Sequence, residues 1–384
     1  MDNHTHLFII WEQSRHKTDL IFRDIKSKFT IREVFEIIWT EKNFQSNLIR
    51  FYGHSLHDPK KKKLLCGTGP FLLIIVHDEN PSIRIESGYT DKIIINDNIA
   101  TSKMMYREWI GQDFSIHGSI SHKETNHNLT LLLHKPLREL EKTLPKIWDG
   151  KIKTLTSDLI GSCGWHSFQE FLNMLNGTVN YVILRNFEDL PGSLITNHHN
   201  DIDILTDGDL ILQYVCMVEG TDPPKGIMPK IIVGGNTLPI DWKRPGDNFY
   251  DKRWYRDILD HRTLHKNGFY VPSDEDYLYT LFYHMIFHKQ KISEEYKKKI
   301  LNLSKKLRKD HIDEKLLNNF EASKKFLESY MKKMKYENPT SINYKLKNNE
   351  FSRLTKLSIY LLKTEGIIFL MNEFKSKISR SLSQ

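Results

Sequence analysis

The feature that most constrains this chain is a pair of short apolar runs framing two aspartates, in NYVILRNFEDLPGSLITNHHNDIDILT (residues 180–206). The first run, residues 181–184, predicts a buried strand, and DIDIL predicts a second strand. Side chains two apart on a strand share a face, so Asp201 and Asp203 should lie side by side while the isoleucines face the core. Adjacent carboxylates repel unless a cation lies between them, and oxygen ligands suit Mg²⁺. The alternative is a solvated strand edge.

A third carboxylate follows about forty residues later, in KIIVGGNTLPIDWK (residues 230–243). This segment predicts a hairpin in which Gly234-Gly235-Asn236 form the turn and Asp241 lies in the return strand. If the return strand pairs beside the Asp201–Asp203 strand, Asp241 completes a cluster of three carboxylates. Two metal ions held by such a cluster can activate an attacking oxygen and stabilise a leaving pyrophosphate.

Strand, loop, paired aspartates and a single aspartate on a later strand resemble the nucleotidyltransferase superfamily, with its DNA polymerase β-like fold. The resemblance covers roughly residues 155–290 and implies a mixed-sheet domain. It implies that Asp201, Asp203 and Asp241 bind catalytic Mg²⁺ or Mn²⁺ together with the phosphates of a nucleotide.

The chain departs from that family immediately after the first strand. The family places Gly-Ser there to cradle phosphates, whereas this chain has Arg185-Asn186, and Gly192-Ser193 follow only later. Either pair can serve as the phosphate-binding element, since an arginine can hold a phosphate directly. The departure leaves the donor nucleotide and catalytic competence open.

A basic and aromatic segment follows Asp241, in KRPGDNFYDKRWYRDILDHR (residues 243–262). Lys243 and Arg244 can neutralise a phosphorylated substrate. Tyr250, Trp254 and Tyr255 can stack on a base or sugar, or they can pack within a helix.

The first 140 residues alternate predicted strands and helices in the order of a ferredoxin-like sandwich. TGP (residues 68–70) and IHGS (residues 116–119) resemble nucleoside diphosphate kinase, a resemblance that implies His117 as phospho-acceptor or phosphate ligand. The Lys-Pro-Asp of that family is absent, and WEQ (residues 11–13) stands in its place. We therefore expect a related scaffold that has lost or changed the kinase chemistry; a structural role for the histidine is the alternative.

The basic character of the chain lies at its C-terminal end. Of its net charge of +8, residues 289–384 supply about +12, from 23 Lys/Arg against 11 Asp/Glu. Apolar residues recur at helical spacing there, so we predict a basic helical region over residues 291–384. It can act as a solvated helical cap or contact an anionic membrane through its last amphipathic helix. Nucleic-acid binding is not expected, because no recognition motif accompanies the charge.

Length and composition set the remaining expectations. A chain of 384 residues predicts two or three domains. Three scattered cysteines fit a reducing compartment, and neither a long apolar run nor a signal-peptide pattern is present. We therefore expect a cytoplasmic location, with peripheral membrane contact as an extension.

These observations combine into one expectation: an α+β protein with a ferredoxin-like domain (residues 1–140), a nucleotidyltransferase-like domain (155–290) and a basic helical region (291–384). The expected activity is metal-dependent transfer of a nucleotidyl or phosphoryl-linked group from a nucleotide donor to a hydroxyl of a sugar, polyol or glycan intermediate. The alternatives are nucleotide addition to RNA and a catalytically inactive nucleotide-binding scaffold.

Overall fold

The computed structural model describes residues 4–53, 56, 58–87, 92–112, 114–192, 201–207, 230–245, 247 and 249–337. Within them the chain is a mixed α+β protein. The strands are β1 (Thr5–Ile10), β2 (Thr30–Ile38), β3 (Phe71–His77), β4 (Ile83–Ser87), β5 (Lys92–Asn96), β6 (Ile116–Gly118), β7 (Lys153–Thr156), β8 (Tyr181–Ile183), β9 (Ile202–Thr206), β10 (Lys230–Val233), β11 (Asn236–Lys243), β12 (Thr263–Leu264) and β13 (Tyr270–Val271). The α-helices are α1 (Thr18–Lys28), α2 (Glu41–Tyr52), α3 (Pro59–Cys66), α4 (Asp97–Ile110), α5 (His122–Leu133), α6 (Leu137–Leu140), α7 (Phe168–Thr178), α8 (Lys252–Asp260), α9 (Asp274–Tyr283), α10 (Glu294–Lys306), α11 (Glu314–Leu317) and α12 (Phe320–Met334).

The first sheet has the strand order β6-β1-β3-β2-β7. β3 runs antiparallel to both of its neighbours, β6 is antiparallel to β1, and β7 is parallel to β2. β1 and β2 therefore run in the same direction with β3 between them, an arrangement that requires the crossover supplied by α1. Strands β4 and β5 form a separate hairpin.

Both faces of this sheet are covered, which explains why every residue of β1 is buried. Phe8 and Ile10 point to one face, where they pack with residues of α1 and α4. Leu7 and Ile9 point to the other face, where they pack with residues of α2 and α5. The period of two along the strand thus supplies two hydrophobic layers.

The second sheet has the strand order β10-β11-β9-β8 and is mixed. β10 and β11 form the predicted hairpin, and Gly234 and Gly235 both have positive φ angles, 54° and 80°, in its turn. Left-handed conformations at both central residues match the twist of the strands, which explains the glycines. β11 then lies parallel to β9, and β9 lies antiparallel to β8.

A single cluster of buried side chains joins the two sheets. It runs from one face of the first sheet through α5 and α7 to the second sheet and on to α9, α10 and α12. Residues 135–155 are rich in charged side chains, which predicts a connector between domains; in the structure they include α6 and the start of β7. A π-helical turn, His284–Lys289, follows α9 directly.

The structure corrects two local predictions in the first 140 residues. The lysine-rich segment HSLHDPKKKK (residues 54–63), whose polarity predicts a solvated loop, contains α3. The Asp58 side chain accepts a hydrogen bond from Lys61 N at 2.9 Å, and Pro59 opens the helix. Lys62 is buried there. The sequence also predicts a short strand over residues 113–117, and in the structure this strand is Ile116–Gly118. The predicted amphipathic helix near residues 351–374 lies outside the described residues.

Candidate metal centre

The acidic cluster is built by β9 and β11. Their parallel register places Asp241 beside Asp203 and Ile240 beside Ile202, and Asp201 stands one residue before β9. Because both isoleucines are buried, they fix each strand against the core. Carboxylate oxygens of the three aspartates lie within 4.8 Å of one another. The predicted pairing of these strands is confirmed, and the role of the cluster stays a prediction.

Three carboxylates this close disfavour one another's ionised forms. Burial raises the pKa of Asp203; the charges of Asp241 and Asp201 raise it further, while Arg185 opposes the shift. A hard divalent cation would remove the repulsion, and carboxylate oxygens are the ligands that Mg²⁺ and Mn²⁺ prefer. The donor set therefore fits such an ion, with Asp201, Asp203 and Asp241 as ligands.

Two protein cations already contact the aspartates. Arg185 Nη2 donates to Asp203 Oδ1, and both side chains are largely buried. Lys243 Nζ donates to both carboxylate oxygens of Asp241, at 2.6 and 2.7 Å, and lies 4.4 Å from the centre of the Phe249 ring. The predicted phosphate ligands Arg185 and Lys243 therefore belong to the acidic cluster, where they leave it one net negative charge.

The other predicted phosphate-binding residues are more scattered. Asn186, with a positive φ of 55°, accepts a hydrogen bond from Lys299 Nζ at 2.9 Å. Gly192 lies in a turn, and Ser193 lies outside the described residues. Arg244 is half-buried, and its backbone N–H donates to Asp247 Oδ2 at 2.9 Å. Arg185-Asn186 thus adjoins the cluster directly, whereas the described part of the chain gives no contact between Gly192 and the aspartates.

A cleft of about 780 Å³ is lined in part by the loop that follows β8. Its walls include Asn186, Glu188, Tyr277, Lys299 and Lys306, from that loop and from α9 and α10. Tyr277 Oη donates to Glu188 Oε1 at 2.8 Å, and Lys299 Nζ lies 3.6 Å from the same carboxylate. The three aspartates do not line this cleft, so the cleft and the acidic cluster are distinct features.

No protein-family model, curated protein or solved structure matches this chain. None of the described helices is long and apolar enough to cross a membrane. The two family resemblances rest on the residues quoted above, and the activities that they imply stay predictions.

The aromatic residues predicted as candidates for stacking on a ligand are core residues instead. Tyr250, Trp254 and Tyr255 are each at most 2% exposed, so no ring face is open to a base or sugar. Trp254 and Tyr255 lie on the buried face of α8. This helix is amphipathic, and both aromatic residues belong to its apolar face.

The spacing of His284 and His288, four residues apart, predicts a histidine pair in the core or at an interface. In the structure His288 lies near the acidic cluster. Its ring stacks on Phe249 with centroids 4.2 Å apart and an interplanar angle of 11°. Burial lowers the pKa of His288 to about 4, and the charges of Arg185 and Lys243 act in the same direction. That spacing does not indicate a position near the cluster; only the fold brings His288 close to Arg185, Lys243 and Asp241.

His117 occupies a closed environment on β6. Its Nε2 accepts a hydrogen bond from Asn128 Nδ2 at 2.7 Å, and its ring packs edge-on against Phe51 and Tyr52. Burial lowers its pKa well below the usual range, and Lys103 is the next contributor. The phosphate-binding role predicted for His117 stays a prediction, on a side chain that is only 6% exposed.

Proposed function

We propose that this chain is a metal-dependent transferase that moves a nucleotidyl or phosphoryl-linked group from a nucleotide donor to a hydroxyl of a sugar, polyol or glycan intermediate. The observation that carries the proposal is the convergence of Asp201, Asp203 and Asp241 to within 4.8 Å on paired strands. Mg²⁺ or Mn²⁺ is the cofactor that this donor set favours.

The two sides of the cluster suggest different tasks. The Asp241 side chain is 26% exposed and that of Asp203 is 11% exposed, so an acceptor hydroxyl would approach Asp241 and pass its proton there. Arg185 would hold Asp203 in place. Lys243 would leave Asp241 when a cation binds and turn towards a substrate phosphate. The bound cation would supply polarisation of the phosphoryl oxygens and stabilisation of the leaving group.

We infer domain folds of the same kind as the resemblances imply. The order β6-β1-β3-β2, with antiparallel neighbours, supports a ferredoxin-like first domain. The mixed second sheet, which carries Asp203 and Asp241 and is preceded directly by Asp201, supports a nucleotidyltransferase-like second domain. A solved structure in which either sheet had another strand order would overturn this inference.

The setting that we propose is the cytoplasm, with peripheral contact to anionic membranes through the basic region, residues 291–384. Its excess of Lys and Arg supports this, since basic helices are attracted to anionic lipid surfaces. Co-sedimentation with phosphatidylserine vesicles, but not with neutral phosphatidylcholine vesicles, is the expected result. Equal recovery with both would remove membrane contact from the proposal.

A second candidate is a catalytically inactive nucleotide-binding protein. It is favoured by one observation: Arg185 and Lys243 already neutralise two of the three carboxylates. If Lys243 stays on Asp241, a metal ion would be held too weakly for turnover. Nucleotide binding without release of pyrophosphate or formation of product would support this candidate.

Isothermal titration of each ribonucleoside triphosphate with Mg²⁺ tests the first proposal. Wild type should bind one nucleotide, and Asp241→Asn should weaken that binding at least about tenfold, since a charged ligand to the cation is lost. Asp260→Asn, at an exposed position at the end of α8, is the matched control and should bind like wild type. Nucleotide binding that is independent of Mg²⁺ and unchanged in Asp241→Asn would refute the metal-centre proposal.

If the nucleotide binds as predicted, a second assay separates the two candidates. The transferase should release pyrophosphate in the presence of pooled sugar and polyol acceptors, whereas the inactive nucleotide-binding protein should not.

A further inference from the structure

Three buried polar atoms beside the acidic cluster lack a hydrogen-bond partner among the described residues: Arg185 Nη1, Tyr250 Oη and His288 Nε2. Arg185 is 6% exposed and Tyr250 is 2% exposed. A buried polar atom without a partner is unfavourable and rare in folded proteins. Three of them around one cluster therefore call for a common explanation.

The three side chains converge on the aspartates. Tyr250 and His288 pack against the same ring of Phe249, with centroid distances of 4.8 and 4.2 Å. Arg185 interacts electrostatically with Tyr250 and with Asp203 and Asp241. His288 in turn interacts electrostatically with Arg185 and Asp241. The three side chains thus lie close to the cluster, Arg185 on the Asp203 carboxylate and His288 near Asp241 and Lys243.

All three atoms can donate hydrogen bonds. The guanidinium N–H and the phenol O–H are donors, and Nε2 of a neutral imidazole donates in one of its two tautomers. A set of donors without acceptors is complementary to an oxyanion. The neighbouring aspartates fit a divalent cation. An oxyanion that can contact both the three donors and that cation is a phosphoryl group bound to the cation.

We propose that Arg185 Nη1, Tyr250 Oη and His288 Nε2 bind the oxygens of a substrate phosphoryl group held next to the three aspartates. The inference rests on the proposed function and deepens it, because it assigns the phosphate-binding role to these three side chains. Arg185 thereby substitutes for the Gly-Ser pair that is absent after β8. The phosphoryl group can belong to the nucleotide donor or to a phosphorylated acceptor.

Tyr250→Phe tests this because it removes one hydroxyl and keeps the buried ring. Without ligand, the variant should unfold at the same temperature as wild type or higher, since the lost hydroxyl has no partner. Tyr255→Phe is the matched control: the Tyr255 hydroxyl donates to Asp247, so this variant should unfold at a lower temperature without ligand. A lower unfolding temperature for ligand-free Tyr250→Phe would overturn the inference, since it would reveal an internal partner.

Binding is measured next, at saturating Mn²⁺, with a nucleoside triphosphate in one arm and glycerol 3-phosphate in the other. Tyr250→Phe should weaken one of these ligands about tenfold to a hundredfold, as expected for a hydrogen bond to a charged group. Tyr255→Phe should bind both like wild type. The ligand whose binding is weakened, the nucleoside triphosphate or glycerol 3-phosphate, identifies the source of the phosphoryl group.

These measurements distinguish failure of the phosphoryl pocket from failure of the proposed function. If Mn²⁺ binds normally but Tyr250→Phe changes neither ligand, the phosphoryl pocket is wrong while the metal centre stands. If Mn²⁺ does not bind to wild type at all, the proposed function is wrong and the pocket falls with it.

Discussion

Asp203 and Asp241 lie side by side on adjacent strands, yet their carboxylates have different partners. Asp203 is paired with the buried Arg185, whereas Asp241 is paired with Lys243 at a more open position. The removal of one partner from a buried pair leaves an uncompensated charge, while exposed pairs contribute little. The two aspartates should therefore differ in what they contribute to stability.

In metal-free buffer, Asp203→Asn should lower the free energy of unfolding by about 3 kcal/mol, because Arg185 loses its counter-ion. Asp241→Asn should lower it by about 1 kcal/mol or less. Urea denaturation of both variants beside wild type measures the difference. Equal losses of unfolding free energy in the two variants would mean that the buried Arg185 charge does not need Asp203 as its counter-ion.

His6 gives the first sheet a pH-dependent contribution to stability. Burial lowers its pKa from 6.5 to about 4, although its Nδ1 donates to the Ser119 carbonyl at 2.8 Å. Between pH 6.5 and pH 4 the unfolded chain therefore binds a proton at this side chain that the folded protein does not bind. The contribution is fully present above pH 6.5, falls as the pH is lowered, and amounts to about 3 kcal/mol at most.

His6→Asn keeps a donor near Nδ1 but cannot titrate. Between pH 7 and pH 4.5, the variant should lose less of its free energy of unfolding than wild type, by about 2 kcal/mol. Urea denaturation at both pH values measures this difference. The same pH dependence in both proteins would show that His6 titrates normally when folded.

The β10–β11 hairpin is the element that brings Asp241 to Asp203. Its turn needs Gly235 at a φ of 80°, with open space where a Cβ would project. Gly235→Ala should therefore lower the free energy of unfolding by about 1 kcal/mol, from backbone strain alone. Gly235→Asn should lose less, because asparagine tolerates the left-handed region. If denaturant titration gives alanine and asparagine the same effect, strain at this turn is not the cause.

Elements with a strong local signal were predictable from sequence. The β10–β11 hairpin agrees with the structure. The sequence also predicts a helix over residues 122–133 and serine N-caps at Ser167 and Ser273, and these agree with the structure too. The lysine-rich segment was misjudged, because its polarity hid a capped helix in which Lys62 turns inward. Local pattern therefore identified the strands that carry the aspartates, but it did not identify the side chains packed behind them.

The pairings at the cluster differ in how far they could be predicted. Lys243 and Asp241 lie two residues apart on one strand, so the period of two places them on the same face, whereas Arg185 reaches Asp203 from the end of a neighbouring strand. The positions of Tyr250 and His288 depend on how α8 and α9 pack on the second sheet. No spacing within either segment specifies that packing.

In the molecule as a whole, α5 and α7 connect the two sheets. A Cβ added at Gly177 would lie 2.2 Å from Thr130 Oγ1, so the helices approach closely only because this residue is glycine. Glycine to alanine within a helix usually stabilises, by about 1 kcal/mol. Here the clash between the added Cβ and Thr130 should make the substitution destabilising instead.

Gly177→Ala should lower the free energy of unfolding by about 2 kcal/mol, within the range for overpacked cores. Thr130→Ala, combined with it, should restore part of the loss. Far-UV and near-UV circular dichroism should follow one shared transition, because one buried cluster spans both sheets. A stabilised Gly177→Ala protein would contradict the close contact, and two separate transitions would contradict the shared core.

The most direct measurement is the titration of Mn²⁺ into the protein, followed by electron paramagnetic resonance of the free ion. We predict that wild type and Asp260→Asn bind Mn²⁺ and that nucleotide strengthens this binding. Asp241→Asn should bind at least about tenfold more weakly, because a carboxylate ligand is lost. Equal Mn²⁺ binding by wild type and Asp241→Asn, or none by either, would contradict the assignment of Asp201, Asp203 and Asp241 as a metal centre.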